Sequence, residues 1–209
     1  MITIEKNRFA FLKDNYFNFV DDNIIAASRR AYRDMNRTLR LNGANSSTFR
    51  VKIDNLLKTQ FESLKTQKIT RQDDFDEFHE ALCNEMIAIF TIGDGLTYGQ
   101  AQKWLNMTVK YIYIIQGDNV FGIMKFAHIP LDNYIFKSLK NYLGIKASGL
   151  HPWSQISNYN KYLAFQKEVR DKINGNTSPL EWELGHWLNS VKNSKTQADI
   201  NRQESPRQI

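Results

Sequence analysis

Two lysines and one aspartate are the residues of this sequence whose types and spacing best fit covalent chemistry. Lys103 and Lys110 stand seven residues apart, and Asp132 closes the segment Pro-Leu-Asp at 130–132. A neutral lysine amine can attack an electrophilic carbon, and a water-poor pocket favours that neutral form. A carboxylate nearby stabilises positive charge that develops on a substrate and can accept a proton. Because seven residues of helix bring both lysines to nearly the same face, the sequence leaves open which of them acts.

Several other site chemistries are excluded by motifs that the chain lacks. The glycine-rich turn at 92–99 has no following Gly-Lys-Ser/Thr and no preceding strand, so it is neither a P-loop nor a dinucleotide fingerprint. Cys83 is the single cysteine, which excludes a disulfide framework and the zinc deaminases. His79 lies four residues before Cys83, but two further ligands in a recognisable spacing are missing. We therefore expect neither a metal nor an organic cofactor.

The elements that must position these residues are predicted to be helices. Apolar residues recur at spacings of three and four in the segments 14–41, 49–64 and 75–90. The turn at 92–99 leads into a helix at 100–111 that carries both lysines, and Pro130 is expected to begin a helix over 131–143. Further helices are predicted at 157–173 and after Ser178-Pro179.

These patterns predict an all-α or mostly α fold. Residues 1–192 are expected to form a single helical domain, in which two interleaved helical lobes could enclose a cleft. Residues 193–209 are polar and lack apolar periodicity, which predicts a disordered tail. Charged residues interrupt every apolar run near the first residue, and no run reaches about 18 uncharged apolar residues, so we expect no signal peptide and no membrane segment.

Charge is distributed unevenly along the chain. The net charge is +6, but residues 29–71 hold eleven bases against three acids, a net charge of +8. Residues 72–102 contain seven acids and no lysine or arginine, a net charge of −7. A basic block of this kind fits contacts with phosphates, and it equally fits a solvated helix face beside an acidic one.

Three motifs together resemble the helix–hairpin–helix DNA glycosylase superfamily. A glycine turn ends at Gly99, a helix then presents Lys103 with Lys110 seven positions on, and Pro-Leu-Asp follows at 130–132. The C-terminal part adds an acid and a tryptophan four residues apart, Glu183 and Trp187. The archaeal 8-oxoguanine DNA glycosylase/lyase type is the most similar variant, over roughly residues 94–132 and the C-terminal helix. The turn departs from the common Leu-Pro-Gly-Val-Gly form of the superfamily.

The resemblance implies a DNA glycosylase that flips a damaged or modified base out of the helix, with or without AP lyase activity. Lys103 is the first choice as nucleophile and Lys110 the rival, while water activated by Asp132 is the alternative to either lysine. Asp132 would stabilise the oxocarbenium-like state of the sugar. An oxidised purine and a hypermodified pyrimidine both remain open as the target base.

The same resemblance implies base and DNA contacts. The residues expected to hold the flipped base are Trp187, Glu183, Trp104 and Trp153. The residues expected to contact the DNA strand are Gly99, Tyr98, Gln100, Arg29, Arg30 and Arg33. DNA is the expected partner, with no obligate protein partner and no membrane, in the cytoplasm and at the nucleoid when bound.

Two other functions remain open on the residues alone. A non-catalytic helical module that binds nucleic acid or protein would bind with a steep salt dependence and would be indifferent to Asp132→Ala. A nuclease toxin would use His128 or His151 with nearby lysines.

Overall fold

The computed structural model describes residues 4–117, 120–173, 175 and 177–204. Within these ranges it contains eight α-helices and no β-strand, which confirms the predicted all-α class. The helices are α1 (Ile4–Phe17), α2 (Asn23–Met35), α3 (Ser47–Ser63), α4 (Gln72–Ile89), α5 (Tyr98–Gln116), α6 (Asn133–Ser138), α7 (Tyr159–Ile173) and α8 (Pro179–Glu204). Short 3-10 turns at Asn36–Thr38, Val120–Gly122 and Trp153–Gln155, and a π-turn at Leu139–Leu143, lie between them.

Helix α5 lies at the centre of the fold, because it packs most extensively on α2 and also on α4 and the 3-10 turn at Trp153–Gln155. Its start is fixed by a capping box. The Thr97 hydroxyl accepts a hydrogen bond from the Gln100 N–H, and the Gln100 side chain accepts one from the Thr97 N–H. Residues 98–112 of α5 are all buried, the two lysines included.

The predicted helix at 14–41 is two helices in the structure, and α1 begins earlier, at Ile4. Asn18 and Phe19 adopt positive φ values of 60° and 53°, which breaks the helical path. Asp22 then caps α2, since its carboxylate accepts hydrogen bonds from the N–H groups of Ile24 and Ile25, both at 3.0 Å. The apolar periodicity continued across the break and therefore concealed it.

The helix predicted over 131–143 begins later than expected. Asp132, not Pro130, is the N-terminal cap of α6, and its Oδ1 accepts a hydrogen bond from the Ile135 N–H at 2.8 Å. The last part of the segment is the π-turn Leu139–Leu143, which ends at Gly144 in the left-handed conformation.

Helix α8 continues to Glu204, through the first part of the segment predicted to be a disordered tail. Half of residues 193–204 are good helix formers, and a helix already nucleated at Pro179 extends through them. Residues 205–209 of the predicted tail lie outside the described residues. Over the part of the chain that the structure describes, no helix has the length and apolarity needed to cross a membrane.

Candidate functional site

One cleft of about 410 Å³ contains Lys103, Lys110 and Asp132 together. Helix α5 supplies the two lysines, and the start of α6 supplies the aspartate. Side chains from α1, α2, α8 and the 3-10 turn at Trp153–Gln155 complete its walls. Besides the three residues named, the lining residues are Tyr16, Arg30, Arg33, Asp34, Arg37, Met107, Tyr111, Ile114, Tyr134, Trp153, Leu184, Trp187 and Leu188.

Lys103 and Asp132 form an ion pair, with Lys103 Nζ 2.7 Å from Asp132 Oδ2. The other carboxylate oxygen of Asp132 caps α6, so its position is fixed from two sides. Burial tends to raise the pKa of the Asp132 carboxyl, but the Lys103 ammonium and the Ile135 N–H outweigh that effect, and the pKa is lowered. The structure therefore holds an ionised carboxylate and a lysine ammonium group in direct contact within the cleft.

Lys110 forms a second and deeper ion pair, with Glu183 of α8. Lys110 Nζ lies 2.9 Å from Oε1 and 2.7 Å from Oε2 of the glutamate. The glutamate side chain is only 1% exposed, and burial raises the pKa of its carboxyl despite the opposing effect of Lys110. The ring of Trp187 lies 5.2 Å from Lys110 Nζ, so the ammonium is held between a carboxylate and an aromatic face.

The two ion pairs influence each other. Lys110 contributes to lowering the pKa of Asp132, and Lys103 acts in the same direction on the pKa of Glu183. This coupling follows from the spacing of seven residues on one helix, which places both ammonium groups on one side of α5. The four charged groups together have no net charge, so the centre of the cleft is polar but electrically balanced.

Aromatic rings form much of the wall around these charges. Trp187 and Tyr134 meet edge to face with ring centroids 6.1 Å apart. Trp153 lies in the same lining and is buried, and Tyr16 and Tyr111 also line the cleft, with ring centroids 6.0 Å apart. A flat ligand entering the cleft would therefore find ring faces and edges close to the Lys103–Asp132 pair.

Three arginines lie at the entrance of the cleft, Arg30 and Arg33 from α2 and Arg37 from the 3-10 turn that follows it. Arg33 and Arg37 are exposed, and Arg30 is held by the Tyr16 hydroxyl at 2.9 Å and by Asp34 at 3.1 Å. Arg29, predicted to contact DNA beside them, does not line this cleft, because its Nε pairs with Asp54 at 3.1 Å on another side of α2. Two of the three arginines predicted from sequence therefore lie at the cleft.

The turn residues predicted to hold DNA are buried and have structural roles instead. Gly99 packs so closely on the neighbouring loop that a Cβ there would lie 1.9 Å from the Trp153 carbonyl oxygen. Gln100 completes the capping box and donates to the Thr38 carbonyl at 2.8 Å. Tyr98 packs on Tyr159, with ring centroids 5.0 Å apart. These three residues are buried, because the start of α5 is enclosed by the chain itself.

Two of the predicted base-binding residues are also placed elsewhere. Trp104 is completely buried, and its indole N–H donates to the Ser28 carbonyl at 3.0 Å in the contact between α2 and α5. Glu183 is buried beneath Lys110 and is absent from the cleft lining, so it positions a lysine and does not reach a base edge. Trp187 and Trp153 do line the cleft.

Two of the histidines considered for metal or nuclease chemistry, His79 and His128, lie in a buried polar network, whereas His151 is exposed. His128 Nε2 lies 2.9 Å from Asp76 Oδ1, and His128 Nδ1 lies 3.0 Å from the Tyr162 hydroxyl. His79 hydrogen-bonds Asn106 at 3.1 Å, and His128 is 1% exposed, which removes it from contact with RNA. Among the described residues, no group of three or more His, Cys, Asp or Glu side chains could hold a metal ion.

Several cleft residues were not predicted from the sequence. Tyr111 donates a hydrogen bond to Asp34, and both line the cleft with Tyr16. Tyr134 lies two positions after Asp132, and that proximity was the one local signal that could have identified it. The pairing of Tyr111 with Asp34 joins residues 77 positions apart and has no local signal.

No protein-family model, curated protein or solved structure matches this chain.

Proposed function

We propose that the protein is a DNA N-glycosylase with AP lyase activity, which excises a damaged or modified base in the cleft. The observation that supports this most is the contact of 2.7 Å between Lys103 Nζ and Asp132 Oδ2 within an aromatic-walled cleft. An amine and a carboxylate in contact are the two groups needed to attack C1′ of a nucleotide and to stabilise the cation that forms there.

In this mechanism the flipped base enters between Trp187, Tyr134 and Trp153. Lys103 passes a proton to Asp132 and its amine attacks C1′. The electron pair of the glycosidic bond leaves with the base, which takes up the proton from Asp132. The C1′–O4′ bond then breaks as the attacking nitrogen gives one proton to the ring oxygen and its electron pair forms the protonated Schiff base. The Asp132 carboxylate, free again, takes a proton from C2′, and β-elimination expels the 3′-phosphate and breaks the strand. If water replaces the amine, Asp132 accepts the proton from water, and no Schiff base forms.

The remaining parts of the chain receive supporting roles. Helices α1 and α2 form one wall, with α3 packed behind α2, and α6 with α8 form the other, with α5 at the floor; this is our proposal for the two lobes. Arg33 and Arg37 contact backbone phosphates at the entrance of the cleft. Glu183 keeps Lys110 in place beneath Trp187, where the ammonium lies close to the proposed position of the base. We propose that the protein acts in the cytoplasm, on DNA of the nucleoid.

The proposal is tested with Asp132→Asn, measured as abasic product on oligonucleotides that carry oxidised purines or modified pyrimidines. Asparagine is as good a helix cap as aspartate, so α6 keeps its start while the carboxylate charge is lost. We expect base release to fall at least about 100-fold, as for loss of a positioned acid–base group. DNA affinity should change less than about threefold, since Asp132 contacts no phosphate in this mechanism.

Asp22→Asn is the matched control, because Asp22 caps α2 in the same way and lies outside the cleft lining. It should leave base release unchanged. Equal activity of Asp132→Asn and the wild-type protein would refute the proposed mechanism. Binding of DNA without base release on any substrate would favour the non-catalytic binding module instead.

A further inference from the structure

A second basic cavity lies on the other side of α2, where the start of α3 approaches it. Its volume is about 340 Å³. Three arginines line it, Arg29 and Arg33 from α2 and Arg50 from α3. Arg33 lines the first cleft as well, so α2 separates the two cavities and one arginine reaches both. The other lining residues are Asn18, Val20, Tyr32, Ser47, Val51, Asp54 and Trp104.

Most of the positive charge of this cavity is not neutralised. Asp54 is the acid in its lining, and both of its oxygens are already used. Oδ1 accepts from the Ser28 hydroxyl at 2.6 Å, and Oδ2 accepts from Arg29 at 3.1 Å. Across the described residues, Arg33 and Arg50 have no carboxylate within 4.0 Å. Arg33 donates to the Asn18 amide oxygen at 3.3 Å, and Arg50 acts on Asp54 only from beyond 4.0 Å, so neither guanidinium group is in direct contact with an anion.

The Arg50 guanidinium is oriented by an aromatic ring and has an unused hydrogen-bond donor. Its guanidinium lies 5.1 Å from the ring centre of Tyr32, which orients it. Its Nε is buried and, within the described part of the chain, has no hydrogen-bond partner. An unsatisfied buried donor of this kind costs free energy, so the Arg50 guanidinium makes fewer hydrogen bonds than it could.

The first turn of α3 adds donors of the same character. Ser46 is the cap residue, but its hydroxyl contacts the Tyr32 hydroxyl at 2.9 Å and caps no N–H group. Asn45 Oδ1 accepts a hydrogen bond from the Ser47 N–H at 2.8 Å, so one donor of the first turn is already used. The rest of the first turn of this 17-residue helix keeps the partial positive charge of its N-terminus beside Arg50. The arginines and this turn converge on the cavity from two sides.

We propose that this cavity is a binding site for a phosphate group. The proposed source is a backbone phosphate of the DNA strand that passes from the cleft across Arg33, so this part of the inference rests on the proposed function. A free phosphate ion has the same recognition chemistry and is the other source that the experiment distinguishes. Phosphate offers several oxygens to two guanidinium groups and a helix terminus, which match its geometry.

The first experiment measures DNA affinity of the full-length protein by fluorescence anisotropy, as a function of salt, on an unmodified duplex oligonucleotide. Loss of one phosphate contact in Arg50→Gln should reduce the slope of log K against log salt by about 0.9. Lys68→Gln removes one exposed charge of the same basic segment outside the cavity, and it should change the slope much less. Val51→Glu is a second variant, since it places a carboxylate in the lining without altering Arg50, and it should weaken DNA binding similarly.

The second experiment titrates inorganic phosphate into the wild-type protein and Arg50→Gln by calorimetry. Arg50-dependent effects in both experiments support the backbone phosphate, and an effect with phosphate alone assigns the site to the free ion. Equal salt slopes in Arg50→Gln and Lys68→Gln, together with no Arg50-dependent phosphate binding, would overturn the inference. If Arg50 governs DNA affinity but no base is ever released, the proposed glycosylase activity fails and the phosphate site stands.

Discussion

Removing the carboxylate of Glu183 should destabilise the protein more than any change at an exposed charge. Glu183 and Lys110 are 1% and 7% exposed, and both oxygens of the glutamate lie within 2.9 Å of the lysine Nζ. Glu183→Gln leaves the Lys110 ammonium buried without a counter-charge. Breaking a buried pair on one side costs about 3–5 kcal/mol, because the remaining charge has lost both water and its partner.

Removing both charges together tests whether the loss of stability in the single variants comes from the unpaired partner. Lys110→Met/Glu183→Leu replaces the pair by apolar side chains of similar size, and this exchange is often neutral or stabilising. We expect the double variant to lie within about 1.5 kcal/mol of the wild-type protein, although each single variant is much less stable. The large difference between the single variants and the double variant is the signature of a buried ion pair.

Urea denaturation followed by circular dichroism measures these differences in the free energy of unfolding. A loss of 3 kcal/mol corresponds to a decrease in Tm of about 6–12 °C in a chain of this size. A Glu183→Gln variant within about 1 kcal/mol of the wild-type protein would refute this account of the pair. So would single-variant effects that simply add up in the double variant, since additivity means that the two side chains do not interact.

Two further predictions concern the surroundings of the site. Gly99→Ala places a Cβ 1.9 Å from the Trp153 carbonyl oxygen, so the backbone must move, and we expect a loss of at least about 2 kcal/mol in urea denaturation. A loss below about 0.5 kcal/mol would show that this contact is loose. Burial lowers the pKa of His79 and His128 from the ordinary value of 6.5, so the unfolded chain binds more protons than the folded chain below that pH. The free energy of unfolding should therefore decrease as the pH falls below 6.5, by up to roughly 1.4 kcal/mol per pH unit for each histidine, and a flat profile between pH 7.5 and 5.5 would contradict the burial of both rings.

The helical class and the relation between the two lysines could be predicted from sequence, because both depend on local periodicity. Apolar spacings of three and four identify the helices, and seven residues on α5 place Lys103 and Lys110 on one face. The start of α5 was also close to its predicted position, because Gly95 and the cap residue Thr97 mark it locally.

The roles of individual aromatic and acidic residues could not be predicted in the same way. Residues 98–112 of helix α5 are all buried, so burial does not distinguish Trp104, which lies in the core, from Lys103, which lies in the cleft. Glu183 was expected to read a base because it lies four residues before Trp187. Its pairing with Lys110 joins residues 73 positions apart and depends on how α8 packs, which no local pattern records.

The role of the glycine at the turn before α5 also differs from the role predicted from the sequence. A glycine in a helix–turn–helix segment fits both a close approach of DNA and a close approach of the chain itself. Gly99 serves the second purpose, since its amide donates to the Ile156 carbonyl at 2.8 Å and its Cα faces Trp153. Only the tertiary contact shows that Gly99 allows a close approach of the chain and not of DNA.

Borohydride trapping on an oligonucleotide with a single abasic site tests the central proposal most directly, because it reports a bond between the lysine amine and C1′ without requiring the identity of the excised base. The account predicts a covalent protein–DNA adduct for the wild-type protein and for Lys110→Met/Glu183→Leu, and none for Lys103→Met. No adduct in the wild-type protein, or an adduct that persists in Lys103→Met, would contradict the assignment of Lys103 as the nucleophile.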